Sequence, residues 1–229
     1  VEVTDKAGNK GNGEGTAGNI EHPNDHTAPS EPIITFVEDT NPKDGKLNKA
    51  ENSSDGDNAN TTAKISVPTD AVVGDVIKYT VNGGTEQSHT ITNADKAAGH
   101  VEIKVPVVDG QTSSVTAKIV DQAGNASKEV SGSIDVDTTA PKVDVKTVTP
   151  VDTNNPADGN PEKGIVKGHS DEPNAPVVVT DKNGKTIGTG TTDDKGNFEI
   201  TTDPIKPGDK VNVEVTDKAG NKGNGEGTA

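Results

Sequence analysis

The sequence predicts an all-β fold of two antiparallel β-sandwiches in series, elongated end to end. Three observations predict it: short Val- and Ile-rich runs alternating with polar residues, turns of Gly, Asp, Asn and Pro between them, and a verbatim internal repeat.

The repeat sets the organisation. VEVTDKAGNKGNGEGTA, from Val1 to Ala17, recurs unchanged as Val213 to Ala229, an offset of 212 residues. Self-similarity at a fixed period is the signature of an array, and at about 100 residues per sandwich the unit suits two domains. The chain therefore reads as a fragment of an array, with adjacent identical repeats as its neighbours in the same polypeptide. No apolar run is long enough for a signal peptide or a membrane span, so no membrane insertion is expected of this fragment. The frame DHTAP (Asp25 to Pro29) returns as DTTAP (Asp137 to Pro141), and VDQAGN (Val120 to Asn125) returns as TDKAGN (Thr216 to Asn221). These linkers and closing turns divide the chain into residues 1–24, the end of a preceding repeat, and sandwiches over 25–136 and 137–229. Residues 1–24 are expected to be extended, disordered or paired at an open edge, and the last strand of the second sandwich to be cut short.

In the first sandwich, strands are expected at Ile33 to Val37, Thr62 to Val67, Val76 to Val81, Ser88 to Thr92, Val101 to Val107, Val115 to Val120 and Val130 to Val136. Ala63, Ile65 and Val67 alternate with polar residues, as do Val101, Ile103 and Val105, which is the period of a half-buried sheet. Seven short strands with turns every 8 to 12 residues make an immunoglobulin-like count. The second sandwich repeats it at Val143 to Val148, Gly164 to Gly168, Pro176 to Thr180, Lys185 to Gly190, Asn197 to Thr201, Lys210 to Thr216 and a strand near Glu226. Turns fall at Asp181 to Gly184 and Asp194 to Asn197. Helix signals are nearly absent, and the Gly-rich KGNGEG stretch reads as a flexible turn.

Composition bounds function. Thirty-seven acidic residues against 22 basic ones give a formal charge of −15, which repels nucleic acid and anionic membranes. Hydrophobic residues are only 27% and aromatic ones 1%, so the core is thin. Thin secreted cores take disulfides or metals, and a chain without cysteine leaves metal as the cross-link.

The acidic residues sit where a cation is useful. Asp39, Asn41 and Asp44 precede a Gly turn between the first two strands, with Glu51 following, and Asp152 and Asp158 hold the same place in the second sandwich. Short oxygen side chains before a Gly turn resemble the front of a calcium loop, although the spacing is not that of an EF-hand. In a sandwich of this kind the start of the first strand, the BC loop and the FG loop meet at one pole. Asp137, Asp171, Glu172 and Asp217 are therefore expected to converge, with Asp25, Asp70 and Asp121 as the parallel set. At ~5 Å and an effective dielectric near 20, each like-charge pair repels by roughly 3 kcal/mol, which a bridging cation would relieve. The loop of Asp39 to Asp44 lies at the opposite pole and faces the linker.

The residues resemble the bacterial immunoglobulin-like repeats of giant calcium-dependent (RTX) surface adhesins, many of them exported by type I secretion. The resemblance rests on DTTAP, on VVGDVIKYTVNG and VTAKIVDQAGN, and on APVVVTDKNGKTIGTGTTDDKGNFEI with VNVEVTDKAGN, and it covers nearly all of residues 25–229. His26 stands where the family has a small residue. The resemblance implies calcium at the linker and FG-loop aspartates, here Asp137 with Asp121 or Asp217. It also implies an extracellular, monomeric stalk that projects a distal ligand-binding domain from the cell surface.

Two other classes stay open. A glycan- or protein-binding module would use exposed aromatics, of which the chain has Phe36, Tyr79 and Phe198. A flexible acidic spacer would need no metal. Catalysis finds no framework, since the five His residues are scattered and His169 merely adjoins Ser170 and Asp171.

Overall fold

The computed structural model describes residues 25–40, 43–154 and 158–229, preceded by two short strands, β1 (Glu2–Thr4) and β2 (Lys10–Asn12). The first sandwich comprises β3 (Ile34–Phe36), β4 (Lys46–Leu47), α1 (Lys49–Asn52), β5 (Asn60–Ser66), β6 (Val76–Val81), β7 (Gln87–Thr90), α2 (Asn93–Ala98), β8 (His100–Pro106), β9 (Thr112–Val120) and β10 (Val130–Val136). The second comprises β11 (Val143–Val151), β12 (Lys163–Ser170), β13 (Pro176–Asp181), β14 (Thr186–Thr191), β15 (Asn197–Thr202), β16 (Lys210–Thr216) and β17 (Lys222–Thr228).

In the first, the sheet β3-β5-β8 faces the sheet β4-β10-β9-β6-β7; in the second, β11-β12-β15 faces β14-β13-β16-β17. This is the all-β, immunoglobulin-like architecture that the alternation predicts. All pairings are antiparallel except that of β4 with β10. Period-two residues fill each core: Ala63, Ile65, Ile77, Val105 and Ile119 in one, Val166, Val177, Val179, Val213 and Val215 in the other. Phe198 is buried in the second core, and Phe36 and Tyr79 pack against the first, so the aromatics serve packing.

The sequence reading missed both helices, because each is a short turn with no apolar period. Their signal is local. Asn48 and Glu51 form a capping box at α1, and Thr92 and Asp95 form another at α2. Leu47, fully buried beside α1, joins Ile134 and Val136 in a small cluster at the base of the first sandwich.

The Gly-rich stretch read as a flexible turn is strand β17. It pairs with β16 along all seven of its residues, although this strand was expected to be cut short. Gly223, Gly225 and Gly227 turn one face toward β11: a Cβ at Gly223 would lie 1.9 Å from the Pro141 carbonyl oxygen, and one at Gly227 would lie 2.6 Å from Val148. Glycine at alternate positions lets the edge strand close against the opposite sheet. The first copy of the repeat keeps this register, since Glu2↔Asn12, Val3↔Gly11 and Thr4↔Lys10 in β1–β2 reproduce Glu214↔Asn224, Val215↔Gly223 and Thr216↔Lys222. The rest of the expectation for residues 1–24 lies outside the described residues. Among the described residues no helix is long and apolar enough to cross a membrane.

Candidate functional site at the joint

The linker DTTAP leaves β10 and enters β11 through a polar junction. Asp137, Asp171, Glu172 and Asp217 line one cavity of about 250 Å³ together with Thr139, Ala140 and Pro141. The linker, the turn after β12 and the turn after β16 each supply part of it, which is the convergence that topology predicts. Asp171 Oδ1 accepts the Lys142 N–H at 2.7 Å, and the Asp171 N–H approaches the Lys142 carbonyl at 3.4 Å, fixing the second turn against β11.

Asp217 anchors the third turn. Its Oδ1 accepts the N–H groups of Ala219 and Asn221, both at 2.8 Å, and its Oδ2 accepts from the Asn221 side chain at 2.9 Å. The carboxylate thus stays in place although only 9% exposed. Its charge acts on its neighbours. Burial, then Asp217 and then Asp109 push Asp137 above its ordinary value, outweighing the Thr139 N–H that lowers it. Glu172 is raised likewise by burial, Asp217 and Asp137. Carboxyls that resist ionisation because they are partly buried and face other carboxylates, as Asp137 and Glu172 do, belong to an oxygen-donor set suited to a hard cation.

The first sandwich repeats the turn. Asn125 donates its N–H to Asp121 Oδ1 at 2.7 Å, and its side-chain amide donates to Asp121 Oδ2 and to the Asp25 carbonyl, both at 2.9 Å. Asn221 does the same toward Asp217 and toward the Asp137 carbonyl, at 2.8 Å for the latter. Asp121 differs electrostatically: burial would raise it, but the Asn125 side-chain and backbone donors win and lower it. Asp70 accepts from Ser30 N–H and Oγ at 2.9 and 2.7 Å, so the acids at this pole are engaged separately. Asp25 caps its own turn by accepting the Thr27 N–H at 3.0 Å.

The two AB loops also match. Asp39 accepts from the N–H groups of Asp44 and Gly45, and Asp152 from those of Asn154 and Gly159. Asp44 accepts the Lys46 N–H as Asp158 accepts that of Asn160. Glu51 accepts the Thr40 N–H as Glu162 accepts that of Thr153. Asn41 lies outside the described residues. Asp152, Asp158 and Glu162 each present an oxygen within 4.8 Å of the others, an arrangement that could hold a metal. The sequence reading missed Glu162; its equivalence to Glu51, the acid following the first loop, was the available signal.

Asp109, in the turn between β8 and β9, was also missed. It accepts from the Thr138 N–H and hydroxyl and from the Thr139 hydroxyl, gripping the linker from the first sandwich. Nothing in a single Asp-Gly turn distinguishes that partner from solvent.

Among solved structures, the chain is 22% identical to a 1.5-MDa bacterial ice-binding adhesin, over 99% of this chain and 71% of that one, with a TM-score of 0.39. It is 14% identical to fibronectin(III)-like modules of Clostridium thermocellum CbhA, over 85% and 91%, with a TM-score of 0.47. It is 16% identical to the D00-D0 domain of intimin, over 86% and 98%, with a TM-score of 0.33. No curated protein matches the chain. The family to which residues 154–227, the greater part of the second sandwich, match is the bacterial Ig domain.

Proposed function

We propose that the chain is an extender segment of a bacterial cell-surface adhesin, a non-catalytic stalk whose joints are rigidified by calcium. The observation that carries this reading is the meeting of Asp137, Asp171, Glu172 and Asp217 in one cavity at the linker, with Asp137 and Glu172 both raised. Those four residues would hold the ion at the joint. Asp25, Asp70 and Asp121 would serve the joint before the first sandwich. Asp152 and Asp158, joined by Glu162, would hold a cation in the second AB loop, as Asp39 and Asp44 would in the first. A bound cation supplies charge neutralisation and ties the linker to two turns of the second sandwich. The acidic surface keeps a long extracellular polymer soluble and apart from its copies. In this reading adjacent repeats extend the stalk and a distal domain performs adhesion or biofilm attachment.

Calorimetric melting in calcium and then in chelator tests the metal. Selective binding to the folded state raises stability by RT ln(1 + [L]/Kd), so the second sandwich melts higher with calcium. An unchanged melting temperature overturns the calcium assignment, while small-angle scattering of a tandem array reads the extender role separately.

A further inference from the structure

We propose that Asn221 is a latch that restrains the two sandwiches relative to one another through hydrogen bonds, so that part of the order at the joint persists when divalent cations are removed and a bound cation adds to it. The Asn221 Oδ1 accepts the backbone N–H of Lys49 at 2.8 Å, across 172 positions of sequence. Its Nδ2 donates to the Asp137 carbonyl at 2.8 Å and to Asp217 Oδ2 at 2.9 Å. One buried amide therefore joins the first sandwich, the linker and the FG turn of the second, and its acceptor and both donor directions are used.

Both ends of the contact are held before they meet. Lys49 opens α1, and its N–H is one of the first-turn donors that a helix cannot satisfy internally. The helix is fixed by its capping box and by Leu47, buried against Ile134 and Val136. β4 pairs with β10, and the Asp137 N–H donates to the Leu47 carbonyl at 3.0 Å. Asn221 is fixed by Asp217. Asn125 makes the same bonds to Asp121 and to the Asp25 carbonyl, so this turn geometry belongs to the D-x-A-G-N sequence itself. What the joint adds is the Lys49 donor. The contact is narrow, flanked by an open cleft of about 410 Å³ that Ala50, Ser53, Ala140 and Lys222 help to line. The linker is held to the first sandwich from its other side by the hydrogen bonds that Thr138 and Thr139 give to Asp109.

The proposal needs neither calcium nor a stalk, and its test is made in chelator. Lys49→Pro deletes the donated N–H while suiting the site: proline is favoured at the first helical position, and Asn48, at φ −81° and ψ 172°, has the extended backbone that precedes it. Lys49→Ala keeps the N–H and is the control. The chain has no cysteine, so Ser88→Cys and Thr189→Cys accept spin labels on exposed positions of the two sandwiches. In chelator the parent and Lys49→Ala give one narrow inter-label distance distribution, and Lys49→Pro broadens it roughly twofold while both melting transitions remain. A parent distribution already as broad as that of Lys49→Pro, or one equally narrow in all three, overturns the latch. Hydrogen exchange gives a second reading without proline: in chelator the Lys49 amide is protected, and Asn221→Ala lowers that protection on the order of tenfold. A Lys49 amide exchanging at the free rate in the parent also overturns it.

Discussion

Thr139 donates its hydroxyl to Asp109 Oδ2 across 2.6 Å, while Thr138 gives both its N–H and its hydroxyl to Asp109 Oδ1 at 2.5 and 2.9 Å. These donors, Thr139 first, hold the Asp109 carboxyl below its ordinary value. The linker is thus tied to the β8–β9 turn of the first sandwich while Asn221 holds its start from the other side.

Asp109→Ala should free the linker without unfolding either sandwich, because the lost bonds are solvent-accessible and lie outside both cores. The expected change in either melting transition is within about 1 kcal/mol. Hydrogen exchange checks the local effect, with loss of protection at the Thr138 N–H. Retained protection would show that the threonines do not depend on this carboxylate.

Glu172→Gln removes one charge from the joint without removing a turn bond, since the Glu172 hydrogen bonds seen here are made by its backbone, the N–H to Ser170 Oγ at 3.2 Å and the carbonyl from Thr192 Oγ1 at 2.7 Å. In chelator the variant should be more stable by up to about 1 kcal/mol, as the repulsion with Asp217 and Asp137 is relieved. In calcium its gain should be smaller than the parent's. Paired calorimetric scans decide, and an equal calcium increment in both proteins would separate Glu172 from the ion.

Gly223→Ala should destabilise the second sandwich by about 2 to 3 kcal/mol, because the new Cβ meets a carbonyl oxygen on the linker side of β11 rather than a movable side chain. The first transition should stay where it is. Lys222→Ala, at the exposed position beside it, is the control.

Two opposite pH dependences are expected. Asp95 is lowered from its ordinary 3.8 to about 2, first by the His89 side chain and then by Thr92. Its contribution is complete above pH 3.8 and is lost as the pH falls toward 2. Asp137 and Glu172 are raised, so the folded state holds their protons more tightly than the unfolded chain does. Acidification from neutrality should therefore stabilise the joint until the pH reaches their ordinary values, 3.8 and 4.5. Urea midpoints of the second sandwich in chelator should rise over that upper window, and Glu172→Gln should flatten the rise.

The sandwich strands were legible because their pattern is local. Val76–Val81, Val130–Val136 and Lys210–Thr216 run between the residues at which alternation begins and ends. The convergence of Asp137, Asp171, Glu172 and Asp217 was legible too, since strand order alone brings those turns to one pole. β17 was harder to read: glycine at every second position looks like a turn until the opposing strand that requires it is present.

By itself, then, the sequence determined the all-β class, the repeat and the pole at which the acids meet, because each follows from periodicity or from strand order. Only the tertiary structure decided what grips the linker. The partners there lie far apart in the chain, Asp109 29 and 30 residues from its threonines and Asn221 84 from Asp137 and 172 from Lys49. A single hydrogen bond between such residues leaves no period in the sequence and exists only once the two sandwiches have met.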